Sequence, residues 1–221
     1  MAAQNPSEPI EPDFFKFPRT PHAPGSVVDG DDDETISNTQ LMAALGISTA
    51  GKGGKRSPMP AFHVVIQEKV DGANVAIHFS ASTGGLICQK RGGQIQSGER
   101  HPQYGAFLAW VAERQMELQE CLGDKLVLFG EWLWARHAVK YDSLNDYFMA
   151  FDVFNKETGT FGTYSALRSL SVVASGCIKT VPLLWEGSSD QLAKDSVGAG
   201  GIQAWLKKIG AQQSKFGSEQ A

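Results

Sequence analysis

Cysteine is scarce in this chain: 221 residues hold three, Cys88, Cys121 and Cys177, far apart and odd in number. With no CxxC pair and no Cys/His cluster, a disulfide framework and a structural zinc site are both disfavoured, and a reducing compartment is expected. Long apolar runs are missing too. Nothing approaches the roughly 20 residues of a membrane span, and Met1-Ala2-Ala3-Gln4-Asn5-Pro6 lacks the basic-then-apolar pattern of a secretion signal. Cytoplasmic or nuclear residence follows as the expectation. There is no excess of positive charge: 20 Lys and Arg stand against 24 Asp and Glu, a net −4. That balance argues against a protein that coats nucleic acid non-specifically, while leaving room for a local basic groove. His63, His78, His101 and His137 show no metal-ligand spacing.

What remains is ordinary for a globular protein, 42% hydrophobic and 20% charged, and long enough for one domain with a sizeable core. Residues 1–13 are Pro- and Glu-rich and read as a disordered tail. Phe14-Phe15-Lys16-Phe17-Pro18-Arg19-Thr20-Pro21-His22 is aromatic and proline-fixed, and is expected to dock on the domain spanning 14–221. A flexible insertion is expected at about 26–60. It holds an acidic loop from Asp29 to Glu34, a short helix with cap residues offered by Ser37-Asn38-Thr39-Gln40 and running through Leu41, Met42 and Leu45, and a basic Gly/Lys loop. Gly46-Ile47-Ser48-Thr49-Ala50-Gly51-Lys52 matches seven positions of a phosphate-binding P-loop. The eighth, which should be Ser or Thr, is Gly53, and the run follows a helix rather than a strand, so a connector is preferred.

From Phe62 the pattern turns to strands: 62–67, 75–79, 85–91, 125–135 and 147–155. Helices are expected over 104–122 (closed by Gly123), 164–175 (closed by Gly176) and 202–209. Strands first, with helices inserted between them, favour an α+β fold of antiparallel sheets with packed helices.

Glu68-Lys69-Val70-Asp71-Gly72-Ala73-Asn74 sits between two β-branched runs. An Asp-Gly pair in that setting reads as a hairpin turn. A lysine held between buried strands can lose its proton and become a nucleophile. Strand alternation then puts Glu131 in an apolar row with Val127, Phe129 and Leu133. It puts Asp152 on a face with Ala150 and Phe154, and Phe151 on the opposite face with Met149 and Val153. Buried carboxylates need fixed partners, which either core ion pairs to Arg91 or Arg136 or a polar cleft would supply. Trp132 and Trp134, alternating with Leu128, read as core.

These residues resemble a family. Lys69-Val70-Asp71-Gly72 with Asn74 is similar to the nucleotidyl-lysine motif of the covalent nucleotidyltransferases, which include ATP-dependent ligases and messenger-RNA capping enzymes. The preceding Glu68 and the position of Asn74 resemble the branch that seals nicks in duplex RNA. So do Gln89-Lys90-Arg91-Gly92-Gly93 with His101-Pro102-Gln103-Tyr104-Gly105, then Phe129-Gly130-Glu131-Trp132, and then Tyr147 to Val153. Phe17 to His22 resembles the family's N-terminal lead, so the likeness spans about residues 14–187.

The resemblance implies the nucleotidyltransferase (ATP-grasp-like) fold of nucleic-acid ligases and an ATP-dependent RNA ligase that uses Mg²⁺. Lys69 would be the catalytic nucleophile that accepts AMP. The nucleotide would be held by Glu68, Asn74, Arg91 (its phosphate, or the RNA 5′ end), Glu131 (ribose hydroxyls, or a metal) and Phe151 (stacked on adenine). Asp71, Gly72 and Asp152 would support the pocket. The partners implied are RNA ends and ATP. A DNA ligase, a capping-type enzyme, or a non-catalytic nucleotide- or RNA-binding protein are the alternatives.

Two motifs of the family are not found. Glu186-Gly187 runs into Ser188-Ser189-Asp190, which is helix-start chemistry, and Lys207-Lys208 lies in a helical pattern and is not Lys-x-Lys. The expectation is therefore a C-terminally incomplete domain with weak or no self-adenylylation.

Overall fold

The computed structural model describes residues 14–26, 34–47 and 60–217. The expected tail at 1–13, the acidic loop at 29–33 and most of the P-loop-like run lie outside these residues. In chain order the elements begin with α1 (Asn38–Ala44), β1 (His63–Gln67), β2 (Ala73–Ser80), β3 (Gly85–Lys90) and β4 (Gly93–Gln94). There follow α2 (Pro102–Ala112), α3 (Gln115–Leu122), β5 (Leu126–Trp132), β6 (Phe148–Asn155) and β7 (Thr160–Phe161). The last are α4 (Tyr164–Ser169), α5 (Ser171–Ala174), β8 (Lys179–Thr180), β9 (Leu183–Ser188), α6 (Ser189–Gly198) and α7 (Ile202–Gly210). The fold is α+β, as the pattern of strands and helices predicts.

The chain forms two compact units, one containing residues 14–17 and Val70–Val181, the other the described parts of Pro18–Lys69 and 182–217. The first is a seven-stranded sheet in the order β4-β3-β2-β5-β6-β7, with β8 added on β6. Every pairing is antiparallel except β6 with β8. β2 lies at the centre between β3 and β5, which is why Val75, Ala76 and Ile77 are all buried although alternate residues face opposite sides. One sheet face packs Val75, Ile77, Leu128, Trp132, Phe148, Ala150 and Val153 against Phe107, Val111, Leu118, Leu122, Leu167 and Val172 from the helices. The buried Trp132 indole donates its Nε1 proton to the Gln103 carbonyl at 2.7 Å, so it is core without an orphaned donor. Trp134, expected beside it, is exposed.

The single helix expected over 104–122 is two. Glu113 is the C-cap of α2, and Arg114, at φ −119°, is the N-cap of α3. The Arg114 guanidinium folds back over the Trp110 ring at 4.2 Å and donates to the Trp110 carbonyl at 3.1 Å, satisfying one of the carbonyls that the break leaves open. The 164–175 helix is likewise divided, because Leu170 is extended, at φ −59° and ψ 134°.

The second unit pairs β1 with β9 in an antiparallel ribbon, with α1, α6 and α7 around Leu41, Ile47, Leu192, Ile202 and Trp205. Within the stretch read as a flexible insertion, residues 34–47 carry α1, started by a capping box between Ser37 and Gln40. β9 corrects the reading of Glu186-Gly187 as leading only into a helix: both lie in this strand, where pairing with Val65 and Val64 holds them extended. The helix start at 188–190 is as read, with the Ser188 side chain accepting from the Gln191 amide, and Lys207 and Lys208 lie in the last turn of α7.

Candidate active site

The Asp71-Gly72 hairpin does not form. β1 pairs with β9, and β2 pairs with β3 and β5, so the two runs flanking Lys69 are not neighbours in a sheet. Gly72 does not take up a left-handed backbone, which a two-residue hairpin of this composition requires. Its reason for being glycine is space. A Cβ there would lie 2.5 Å from the Trp132 carbonyl oxygen and 2.8 Å from Leu133 Cδ2. That close approach lets the Gly72 N–H donate to Glu131 Oε1 at 3.0 Å. Asp71 is held as firmly: its carboxylate accepts the N–H groups of Ala138 at 2.7 Å and Val139 at 2.9 Å, while its own N–H donates to the Tyr141 hydroxyl at 2.7 Å. Three bonds thus tie one residue to the connection between β5 and β6.

Lys69 is the last residue of its segment in the second unit, and Val70 the first in the other. The lysine is exposed, not enclosed between strands, so burial is not what would activate it. Glu68, one residue before, is buried in the second unit. Its carboxylate accepts from the Ser214 hydroxyl and, at 3.4 Å, from the Lys215 N–H. The sequence offered no signal for Ser214, which lies 146 residues away.

On the sheet face opposite the helices, the register sets Asn74 beside Glu131, Ala76 beside Phe129, and Phe129 beside Asp152. Ala76, Val127 and Phe129 form the buried centre of this face, with Phe15, Phe17, Phe151 and Phe154 around them. Alternation along β5 therefore holds. Along β6 it fails, because a bulge opens between Phe129 and Gly130: Phe129 pairs with Asp152 but Gly130 with Ala150, leaving Phe151 as an extra residue. The bulge turns Phe151 and Phe154 to the same side, while Ala150 and Val153 both join the helix-side core. Expected to share a face with Val153, Phe151 instead joins Asp152 and Phe129.

Phe151 is packed edge-on by Phe17, ring centroids 5.1 Å apart, and Phe17 also touches Phe129 at 5.1 Å. The N-terminal segment is docked as anticipated: the Gln89 side chain, buried on β3, accepts the Phe15 N–H at 3.0 Å and donates to the Phe15 carbonyl. Burial pushes the Asp152 carboxyl up to about 6, against the pull of the Val153 N–H that it accepts at 2.9 Å. Arg91 directly follows β3 and is exposed. Its neighbour Lys90 is committed elsewhere, bonded to Glu99 at 2.5 Å and lying 4.8 Å from the Tyr104 ring centre.

The first unit therefore gathers Asp71, Gly72, Asn74, Glu131, Phe151 and Asp152 on or beside one sheet face, with Arg91 at the end of the neighbouring strand. The Glu68 side chain is held separately, by the 214–216 turn. Tyr141 and the amides of Ala138 and Val139 were missed, since nothing in their sequence spacing marks a loop as a cradle.

A family model for RNA ligase matches residues 62–215, a stretch that includes every one of these motif residues. The chain belongs to the RNA ligase family. Among solved structures, this RNA ligase family member is similar to an archaeal ATP-dependent RNA ligase, with 18% identity over 69% of this chain and 38% of that one, TM-score 0.48. It is also similar to a Naegleria gruberi RNA ligase, solved as a lysine-to-alanine variant with ATP and manganese: 18% identity over 62% of this chain and 41% of that one, TM-score 0.45. The same Naegleria enzyme with pyrophosphate gives 19% identity and a TM-score of 0.45. The chain thus spans about two fifths of the length of these structures. No curated protein matches it in sequence. No helix among the described residues is long and apolar enough to cross a membrane.

Proposed function

We propose that this RNA ligase family member joins RNA 3′-hydroxyl and 5′-phosphate ends with ATP, through lysyl-AMP and RNA-adenylate intermediates. The observation that carries the reading is the fixed segment beside Lys69: Gly72 bonded to Glu131, and Asp71 bonded to three groups of the loop after β5. Such anchoring suits a nucleophile that must be presented in one geometry. Within the second unit, the clamp of Ser214 and Lys215 on Glu68 supports the chain on the other side of Lys69.

The Lys69 Nζ lone pair attacks the α-phosphorus of ATP. A nitrogen–phosphorus bond forms, the oxygen bridge to the β-phosphorus breaks, pyrophosphate leaves and a lysine proton is released. A 5′-phosphate oxygen of RNA then takes the adenylyl group, returning Lys69. Finally the oxygen of a 3′-hydroxyl attacks the RNA 5′-phosphorus, its proton is lost and AMP departs. Arg91 is assigned to phosphate, Phe151 to stacking on adenine, Glu131 to the ribose hydroxyls, and Asn74 and Asp152 to the walls around them.

Magnesium bound with the nucleotide would offset charge on the phosphates and the leaving pyrophosphate. Among the described residues there is no cluster of three His, Cys, Asp or Glu able to hold a metal. That fits an ion carried on phosphate oxygens with one or two carboxylates, Glu131 or Asp152, rather than a protein cage. In this reading Lys69, exposed in this structure, would be activated by positive charge set beside it, from Arg91 or from a metal ion bound with the nucleotide.

Incubation with α-labelled ATP and magnesium, with Lys69→Ala as control, tests the reading. A Lys69-dependent covalent label is expected. Equal labelling of the Lys69→Ala variant overturns the assignment of the nucleophile. ATP binding without any adduct favours a non-catalytic nucleotide- or RNA-binding protein.

A further inference from the structure

We propose that a cleft in the first unit, at the far end of the β5–β6 connection, is a binding site for an unpaired nucleobase of an RNA strand. The cleft has a volume of about 430 Å³, and its walls include Arg114, Tyr141, Asp142, Asn145, Asp146 and Tyr147. This inference rests on the RNA ligase reading for the identity of the polymer.

Tyr147 is 46% exposed, yet it is rigidly mounted. Its N–H donates to Asp146 Oδ1 at 2.7 Å, its carbonyl accepts from the Leu133 N–H at 2.7 Å, and its ring packs on Trp132 with centroids 5.9 Å apart. A large aromatic face fixed in solvent has little conformational freedom left to lose, which is what a stacking platform needs. Arg114 is equally preset. It lies over Trp110 and bonds the Trp110 carbonyl, and a second guanidinium nitrogen stands 3.7 Å from Asp146 Oδ2. The other Asp146 oxygen accepts the Trp110 indole proton at 2.8 Å.

Charge decides what kind of ligand fits. Arg114 is set against Asp146, and Asp142 pairs with Lys140 at 2.8 Å. The cleft thus has no uncompensated positive charge to recommend it to a phosphate. It offers instead aromatic faces, an amide and carboxylate oxygens, which suit a flat, neutral group with a hydrogen-bonding edge. Recognition of single unstacked RNA bases uses that combination of stacking and base-edge hydrogen bonds.

The cleft also communicates with the nucleophile segment through one side chain. Tyr141, one of its walls, accepts the Asp71 N–H at 2.7 Å, two residues beyond Lys69. A base in the cleft would therefore touch the residue that holds the Lys69 segment in place.

The test is fluorescence anisotropy of a short single-stranded 5′-phosphorylated oligoribonucleotide, run beside the same strand with abasic positions and beside inorganic polyphosphate. Stacking on one aromatic ring is worth roughly five- to a hundredfold in affinity. Tyr147→Ala should lose about that factor for the intact strand and change little for the abasic strand or polyphosphate. Tyr147→Phe should retain binding. Asn145→Ala, at an exposed position of the cleft wall, should weaken the intact strand several-fold and serves if Tyr147→Ala does not fold. The proposal is overturned by unchanged affinity in folded Tyr147→Ala and Asn145→Ala, by an abasic strand that binds as tightly as the intact one, or by wild type that fails to bind the oligonucleotide. Failure of the ligase reading shows separately, as the absence of Lys69-dependent label from ATP.

Discussion

Gly72→Ala tests whether the segment after Lys69 is held by close approach rather than by a turn. The added methyl would meet the Trp132 carbonyl oxygen at 2.5 Å, Leu133 Cδ2 at 2.8 Å and the Trp132 carbonyl carbon at 3.1 Å. Leu133 can rotate away; a carbonyl within paired β5 cannot. Overpacking of this sort costs about 1–3 kcal/mol. Moving the segment out to make room also stretches the 3.0 Å bond from the Gly72 N–H to Glu131. A hydrogen bond to a charged acceptor contributes roughly 1.5–3 kcal/mol, so the combined loss is about 2.5–6 kcal/mol. Urea unfolding followed by circular dichroism should show the midpoint falling by at least about 1 M at unchanged slope. A built-in control has the opposite sign. Gly105 lies within α2, with nothing within 4 Å of where a Cβ would go, and Gly105→Ala should raise stability by roughly 1 kcal/mol through helix propensity. If Gly72→Ala unfolds within about 0.3 M of wild type while Gly105→Ala behaves as stated, the steric account of Gly72 is wrong.

Asp152 predicts a pH dependence. Its carboxyl is raised from 3.8 to about 6 by burial, so the folded state holds its proton more tightly than the unfolded state. Its contribution is then fully present below pH 3.8 and is lost as pH rises through about 6. Asp152→Asn should remove that decline, leaving a variant more stable than wild type at pH 7 and level with it near pH 4 in urea unfolding; a pH-independent difference would refute the burial argument. Ser214→Ala takes one donor from the buried Glu68 carboxylate, and leaving such a group short should cost about 1–3 kcal/mol. Thermal unfolding should show that loss, with Ser214→Thr recovering part of it; an unchanged midpoint in Ser214→Ala would refute the clamp.

Much of the first unit could be read from periodicity, because its strands run straight through a core that punishes the wrong face. Val127, Phe129 and Glu131 alternate as expected against Leu128 and Trp132. The misreadings share one cause: local chemistry that serves two ends. An Asp-Gly pair is good turn chemistry, but here Asp71 accepts loop amides and Gly72 makes room for a carbonyl. Both uses favour small or short polar residues, so composition alone does not separate them. The 104–122 helix broke at Arg114, whose cation suits a helix end, although a helix interior admits arginine just as readily. The β6 bulge depends on a count of residues against the partner strand, which exists only once β5 and β6 are paired. Tyr141 and Ser214 lie far along the chain from the residues they hold, and no spacing rule reaches that distance.

The bulge on β6 has a consequence for how this sheet tolerates insertion and deletion. Remove Phe151 on paper, and Ala150, Asp152, Val153 and Phe154 alternate perfectly, each still opposite the same β5 residue or in step with it. The ring assigned to adenine is thus supernumerary to the ladder: the sheet would close without it. A lineage could lose that one codon and keep its fold while shedding the ring proposed to stack on adenine. An ancestor could have gained that ring by a single insertion that disturbed no other pair.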